Sequence, residues 1–238
     1  EYRCFAEVKG GRLKVAEADY KDFQINFTKL EAAINANTQA IIINSPNNPS
    51  GAVYTEKTIK KLAKLLTEKS AELGRPIYIV SDEPYRELVY GGVTMPFIPN
   101  YYDNTIVTYS FSKTLSMPGE RIGYVVVNDR VADSKRVFDA VAGTAREFGY
   151  VCAPSLMQKV IVRCIDVAPD LAPYERNRAL LYGSLTEMGY ECVKPDGAFY
   201  LLIKSPHGSG AEFSETAKRK DLLIVPCAAF GCPDYLRI

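Results

Sequence analysis

Residues 40–51 read AIIINSPNNPSG, and this stretch decides the fold. Its first part, Ala40–Asn44, is a continuous apolar run with no polar alternation, as expected of a strand buried on both faces. A loop rich in Pro, Asn and Gly follows. An amphipathic helix is predicted from about Thr55, its N-cap, to Glu72, with Gly74 as its stop. A strand, a loop and a returning helix form the repeating unit of a parallel α/β sheet.

Three further apolar runs extend this pattern along the chain. They are Ile77–Val80, Thr105–Tyr109 and Tyr124–Val127, each short enough for a buried strand. Alternation of strands and helices at this spacing is typical of a mainly parallel sheet. The sequence therefore predicts an α/β fold in which helices flank a mainly parallel sheet.

The pattern changes near Ala168-Pro169, where a second unit is predicted to begin. A long helix is expected from about Pro173 to Met188. Short strands are expected near 191–193, 199–203, 222–225 and 235–238, with a helix near 211–218. We predict a large domain over residues 1–170 and a smaller α+β C-terminal domain over residues 171–238. The chain starts at Glu1 and stops inside a predicted strand, so we expect that the large domain lacks its N-terminal portion and that the small domain is incomplete.

Composition narrows the possible partners. The 238 residues carry a net charge of +1, which gives no basic field for nucleic acid. No apolar run approaches the roughly 20 residues that span a membrane. The six cysteines are scattered and the single histidine is His207, a pattern that fits free thiols in a reducing cytoplasm better than a metal site. We expect no nucleic-acid partner, no membrane partner and no metal.

Chemically useful side chains follow three successive predicted strands. Asn48 comes after the first strand, Asp82 and Tyr85 after the second, and Lys113 after the third. Ligands of a parallel sheet bind beyond the carboxyl ends of its strands. We therefore expect an amide, a carboxylate, a phenol and an amine to share one crevice.

Each of these residues has an ordinary structural explanation when it is taken alone. A lysine after a strand is usually a solvated surface charge, and an aspartate there is usually a turn residue. Ser110-Phe111-Ser112 could be an N-cap only, and the NPSG segment that begins at Asn48 could be only a turn. Their ordered combination favours a functional site.

The combination resembles one known family. Residues 110–123, SFSKTLSMPGERIG, are similar at each motif position to the lysine-attachment segment of the class I/II aminotransferases, which are fold-type I enzymes that use pyridoxal 5′-phosphate (PLP). Asn48–Gly51 (NPSG) resembles the family's Asn-Pro-Thr-Gly, and the Asp-x-x-Tyr of Asp82 and Tyr85 also matches. Gly231–Ile238 resembles the segment that carries the family's substrate-binding arginine. The four motifs occur in order and span nearly the whole chain.

The resemblance implies roles at the ring of the cofactor. It implies that Lys113 forms the Schiff base with PLP and that its freed amine later moves a proton between the substrate and the cofactor. Asp82 is the implied partner of the pyridine nitrogen, where a carboxylate keeps that nitrogen protonated. Tyr85 and Asn48 are the implied hydrogen-bond partners of the phenolic oxygen.

The resemblance also implies roles at the phosphate and at the substrate. Ser110, Ser112 and Arg121 are the implied phosphate ligands, because hydroxyl donors and a planar guanidinium suit phosphate oxygens. Arg237 is the implied clamp for the substrate carboxylate, and Asn48 belongs to the same substrate site. Cys227 departs from the pattern, since relatives often have Gly there, and this change could affect substrate choice.

A family segment is expected before Glu1. It carries a Gly-rich phosphate-binding turn, an aromatic side chain that stacks on the cofactor and a tyrosine lent to the partner subunit. The resemblance therefore implies a homodimer for the full-length protein. We expect these 238 residues alone to be inactive, because a cofactor without its stacking partner is held loosely.

Three functions remain open at this point. The first is an aminotransferase that exchanges an amino group between an L-amino acid and a 2-oxo acid. The second is a lyase chemistry on the same scaffold, β-elimination or the synthesis of aminocyclopropane carboxylate. The third is a non-catalytic PLP-binding sensor, although no DNA-binding segment accompanies it. The sequence does not identify the amino donor, and aspartate or alanine would be the first to try.

Overall fold

The computed structural model describes all 238 residues, and two four-stranded sheets organise them. The first sheet has the order β1 (Ala40–Asn44), β2 (Tyr78–Asp82), β3 (Thr105–Ser110) and β4 (Gly123–Val127). The first three strands are parallel, and β4 runs antiparallel to β3. The predicted α/β fold with a mainly parallel sheet is confirmed. The link from β3 to β4 contains only a four-residue helix and a 3₁₀ turn, too little for the crossover that parallel strands need.

Helix α3 (Glu56–Leu73) covers this sheet as the sequence predicts. The Thr55 hydroxyl accepts a hydrogen bond from the backbone N–H of Thr58, and Gly74 ends the helix at a left-handed φ of 65°. The centre of the apolar face of α3 is buried against the strands. Full burial of each of its leucines contributes roughly 1.5–3 kcal/mol to stability. The buried residues of this face include Ile59, Leu62 and Leu66, which pack with Ile77 and Ile79.

The second sheet is antiparallel and has the order β5-β6-β8-β7. Its strands are β5 (Cys192–Val193), β6 (Leu202–Lys204), β7 (Val225–Pro226) and β8 (Tyr235–Arg237), flanked by α7 (Ala172–Glu187) and α8 (Gly210–Lys218). The strand predicted at 222–225 is largely wrong. Asp221 has a left-handed φ of 59° after α8, and Leu222 and Leu223 then lie exposed in an irregular segment. The division of the chain into two domains near residue 170 stays a prediction.

Five other helices complete the chain. They are α1 (Tyr2–Glu7), α2 (Phe27–Ala33), α4 (Phe111–Thr114), α5 (Ser134–Glu147) and α6 (Ser155–Cys164). The sequence analysis did not predict α5 and α6. Helix α5 buries no residue, and α6 buries only Ile161. No helix of the chain has the length and apolarity that a membrane span requires.

The two sheets touch where the loop after β2 meets the turn before β6. Val89 and Gly197 form an isolated antiparallel bridge, and the N–H of Gly197 donates to the carbonyl of Gly51 over 2.9 Å. Gly197 is required there, because a Cβ atom would lie 2.7 Å from Pro46 Cβ and 2.8 Å from the carbonyl oxygen of Leu88. Close approach of three backbone segments therefore fixes how the second sheet meets the first.

Candidate active site

The carboxyl ends of β1 to β3 meet at one edge, and hydrogen bonds between them set the positions of the loops that follow. Asn44 lies opposite Asp82 in the parallel register, and its Nδ2 donates to the carbonyl of Asp82 over 2.9 Å. The Oδ1 of Asn44 accepts from the backbone N–H of Asn48 over 2.8 Å. The amide at the end of β1 therefore ties the loop of Asn48 to the strand of Asp82.

Two hydroxyls orient the Asp82 carboxylate. Thr108 lies opposite Asp82 on β3, and its Oγ1 donates to Oδ1 over 3.1 Å. The phenol of Tyr2 donates to Oδ2 over 2.5 Å. Asp82 is half-buried, so its carboxylate lies at the edge of the site with both oxygens already in contact with donors.

An aromatic chain joins Tyr85 to Arg237. The hydroxyls of Tyr85 and Tyr200 lie 3.1 Å apart. The Arg237 guanidinium lies 4.7 Å from the centre of the Tyr200 ring and 5.3 Å from that of Phe230. Burial, followed by the hydrogen bond to Tyr200, raises the pKa of Tyr85, so its phenol keeps its proton at neutral pH.

Arg237 also contacts the loop after β1. Its Nη1 donates to Oδ1 of Asn48 over 2.9 Å, which joins residues 189 positions apart in the chain. The Nδ2 of Asn48 has no hydrogen-bond partner in the protein, so this amide keeps a donor free. The structure thus brings together the predicted substrate residue Arg237 and the predicted loop residue Asn48.

The Lys113 amine is held among aromatic rings instead of carboxylates. Its Nζ lies 5.9 Å from the ring centre of Tyr85 and 5.5 Å from that of Phe199. No salt bridge of the structure includes it. Lys113 and Thr114 line a cavity of about 290 Å³ together with Asp170 and Tyr174. The lysine therefore has no ion-pair partner and borders an open cavity.

Helix α4, which carries the lysine, is tied to the loop after β2 by Glu87. The Glu87 Oε2 accepts from the hydroxyls of Tyr109 over 2.8 Å and Thr114 over 2.9 Å. In the same loop, Glu83 is fully buried and pairs with Arg86 over 2.6 Å, and burial raises its pKa. The two bonds of Glu87 hold the four-residue helix against β3 and the loop after β2.

The predicted phosphate ligands are bonded to their own neighbours. Ser110 is the N-cap of α4, and its Oγ accepts from the backbone N–H of Ser112 over 3.2 Å. The two serine hydroxyls lie 2.7 Å apart. Arg121 is exposed at a left-handed φ of 52°, and its Nη1 donates to the carbonyl of Pro118 over 2.7 Å. The serines are adjacent, but the guanidinium of Arg121 does not contact them.

Sequence reasoning missed four residues of this site. Thr108 could have been found from the parallel register, because it faces Asp82 across one strand gap. Tyr2 and Tyr200 carried no such signal, since their contacts join segments far apart in the chain. Phe230 lies only seven residues before Arg237, but no pattern in that short segment indicates that its ring meets the guanidinium. Only the folded chain reveals them.

The donor set fits PLP. A half-buried carboxylate suits a pyridine nitrogen, a free amine suits an aldehyde, and the spare donor of Asn48 with the protonated phenol of Tyr85 suits a phenolate oxygen. Two serine hydroxyls and a guanidinium nearby in the chain suit a phosphate. No group of three His, Cys, Asp or Glu side chains in the structure could hold a metal ion.

Comparisons with known proteins agree with this geometry. The profile of the family described as "Aminotransferase class I and II" matches residues 3–238. An aromatic-amino-acid aminotransferase of Thermococcus litoralis is 33% identical over 93% of the chain and 57% of its own length. A crystal structure of an aminotransferase from Eubacterium rectale is 55% identical, covers 100% of the chain and has a TM-score of 0.97. The aspartate aminotransferase of Thermotoga maritima is 28% identical, covers 97% of the chain and has a TM-score of 0.84. The chain spans 60% of the length of each of these two crystal structures.

Proposed function

The chain belongs to the class I and II aminotransferases, and from that premise we propose that the full-length protein is a PLP-dependent aminotransferase. It would exchange an amino group between an L-amino acid and a 2-oxo acid. The observation that carries the proposal is the Lys113 amine, which has no anionic partner and lies 5.9 Å from the ring of Tyr85. Tyr85 in turn lies three residues after Asp82, the last residue of β2, which supports one site for the amine and the carboxylate.

PLP is the cofactor of this family's enzymes, and when bound it supplies an electron sink that stabilises negative charge at the substrate α-carbon. Asp82 would hold the proton on the ring nitrogen, because an ionised carboxylate favours the protonated form of a neighbouring base. Lys113 would attach the cofactor and, once displaced, take and return the α-proton. Asn48 and Tyr85 would donate to the phenolic oxygen.

Arg237 would bind the substrate carboxylate. A guanidinium offers two parallel N–H donors to a carboxylate, and the rings of Tyr200 and Phe230 limit where it can move. Its bond to Asn48 would couple the substrate side of the site to the cofactor side. Ser110, Ser112 and Arg121 would hold the phosphate, for which Arg121 must exchange its bond to Pro118.

The amino donor is proposed from the relatives alone. Their names refer to aromatic amino acids in Thermococcus litoralis and to aspartate in Thermotoga maritima. Aspartate and an aromatic amino acid are therefore the first donors to try.

We propose that the full-length protein forms a homodimer and is located in the cytoplasm. The surface of α5, α6 and the loop between them exposes large apolar side chains, which include Phe138, Tyr150, Val151 and Val162. Surfaces of this kind mark protein contacts, and a second copy would cover part of it. None of the six cysteines is paired, which fits a reducing compartment.

The test uses the full-length protein loaded with PLP. Each candidate amino acid is added without an acceptor, and the products are identified. A 2-oxo acid together with pyridoxamine phosphate supports transamination. Pyruvate with ammonia and a thiol would mean elimination, and a spectral change without a product would mean a sensor; either result overturns the proposal.

A further inference from the structure

We propose that Tyr2 is the positioning residue of Asp82, holding its carboxylate in the orientation that meets the cofactor's ring nitrogen. The inference deepens the proposed function and rests on it. Tyr2 lies on α1, 80 residues before Asp82 in the chain and outside the four motifs described in the sequence analysis.

The two oxygens of Asp82 are held by donors of different strength. Thr108 Oγ1 lies 3.1 Å from Oδ1 and 3.4 Å from the carbonyl of Ser81, so its single proton is shared between two acceptors. Tyr2 makes a single bond of 2.5 Å, within the range of short charge-assisted O–H···O⁻ bonds. Tyr2 therefore supplies the stronger of the two restraints on the carboxylate.

The other residues of α1 pack little against the protein, so the helix has little structural role that could be mistaken for the role of Tyr2. None of its residues is buried, and Tyr2 and Ala6 are its half-buried members. Arg3 and Glu7 pair with each other on the surface. Contact of α1 with the first sheet thus centres on the phenol and the carboxylate it meets.

The phenol stays a donor over the working pH range. Burial is the largest cause that raises the pKa of Tyr2, and the charge of Asp82 raises it further. A raised phenol pKa means that the proton is kept as pH increases through neutrality. The carboxylate oxygens each have a second lone pair, so the bond from Tyr2 leaves room for the N–H of a protonated ring.

Without Tyr2 the carboxylate would turn towards Thr108 or water. A ring nitrogen that meets a mobile carboxylate loses part of a charge-assisted bond, and cofactor affinity should fall by about tenfold. The ring nitrogen would also hold its proton less firmly and withdraw fewer electrons. The absorbance of the bound cofactor changes with pH, and the pH at the midpoint of this change should therefore rise.

The experiment compares variants of the full-length protein. Tyr2→Phe removes the hydroxyl and keeps the ring. Tyr102→Phe is the matched control, because its buried phenol donates to the carbonyl of Ile77 over 2.7 Å in the core of the first sheet. The dissociation constant for PLP, the absorbance midpoint and the melting temperature of the apoprotein are measured for each.

The proposal expects Tyr2→Phe to bind PLP about tenfold more weakly, with a raised midpoint, while Tyr102→Phe changes the melting temperature alone. Wild-type values in Tyr2→Phe, or equal loss of affinity in both variants, would overturn it. If Tyr2→Phe does not fold, the affinity of Thr108→Val for PLP is measured instead. An affinity near the wild-type value supports Tyr2 as the main restraint on the carboxylate. A loss of affinity as large as that of Asp82→Ala refutes the proposal. A wild-type protein that does not bind PLP would overturn the proposed function itself.

Discussion

The ring end and the phosphate end of the candidate cofactor site are built in opposite ways. At the ring end, the bonds of Asp82, Tyr85 and Asn48 reach partners 80, 115 and 189 residues away. At the phosphate end, Ser110 and Arg121 bond to partners two and three residues away. Contacts between distant segments organise the ring end, and bonds within one short segment organise the phosphate end.

This difference separates two tasks of the protein. Groups that act on developing charge need fixed orientation, which contacts between distant segments supply. Groups that hold a phosphate need only charge and donors, and they can exchange local bonds for the ligand. Substitution of the ring-end groups that act in the reaction should therefore lower turnover more than it lowers affinity for the cofactor, and substitution at the phosphate end should lower affinity alone.

The largest effect is expected for Lys113→Ala in the full-length protein. Loss of the amine removes the proton carrier, which alone is worth about 10²–10⁴-fold in rate, together with the covalent attachment. PLP should still bind through its phosphate without a borohydride-fixable link. The exposed Lys64 provides the control, and Lys64→Ala should keep the link. Peptide mapping that finds the link on another lysine would contradict the assignment.

Asp82→Ala is expected to come second. Removal of the charge that balances the ring nitrogen should cost a few kcal/mol in the chemical step, or about 10²–10³-fold in kcat. Affinity for PLP should change less. Asp82→Asn keeps the shape and loses the charge, so it should be impaired in kcat to a similar degree. Near-normal turnover of either variant would make Asp82 a turn residue.

Arg237→Lys should have a smaller effect, because the positive charge is kept. The planar fork and its bond to Asn48 are lost, so KM for the amino acid should rise by about 10–100-fold. Steady-state kinetics at saturating PLP measure this. An unchanged KM would assign the substrate carboxylate to another residue.

The smallest effect is expected for Arg121→Ala. The dissociation constant for PLP should rise by about tenfold, and kcat at saturating PLP should stay near the wild-type value. Arg130→Ala removes a surface ion pair with Asp103 and should leave PLP affinity unchanged. A kcat loss as deep as that of Asp82→Ala would erase the distinction between the two ends.

Local signals predicted the elements that they fully determine. Thr55 and Gly74 mark the ends of α3 because a capping hydroxyl and a left-handed glycine act on the adjacent backbone. The direction of β4 depends on the lack of a crossover helix between it and β3. Helices α5 and α6 are amphipathic, but they follow one another with no strand between them, so the alternation of strands and helices does not predict them.

The residues of the candidate site also divide into those that the local sequence predicts and those that depend on distant contacts. Lys113, Asp82 and Asn48 could be predicted because each follows a strand, and parallel strands end at one edge. Tyr2 and Tyr200 could not, because nothing in the sequence near them specifies a contact 80 or 115 residues away.

Gly197 affects how closely the two sheets that carry the site residues are held together. With Pro46 and the carbonyl of Leu88 within 3 Å of where a side chain would begin, any larger residue at position 197 would push the turn before β6 away from the loops after β1 and β2. The N–H groups of Asp196 and Gly197 both donate to the carbonyl of Gly51 at the same point. A displacement there would carry the second sheet, and with it Arg237 on β8, away from Asp82 on the first sheet.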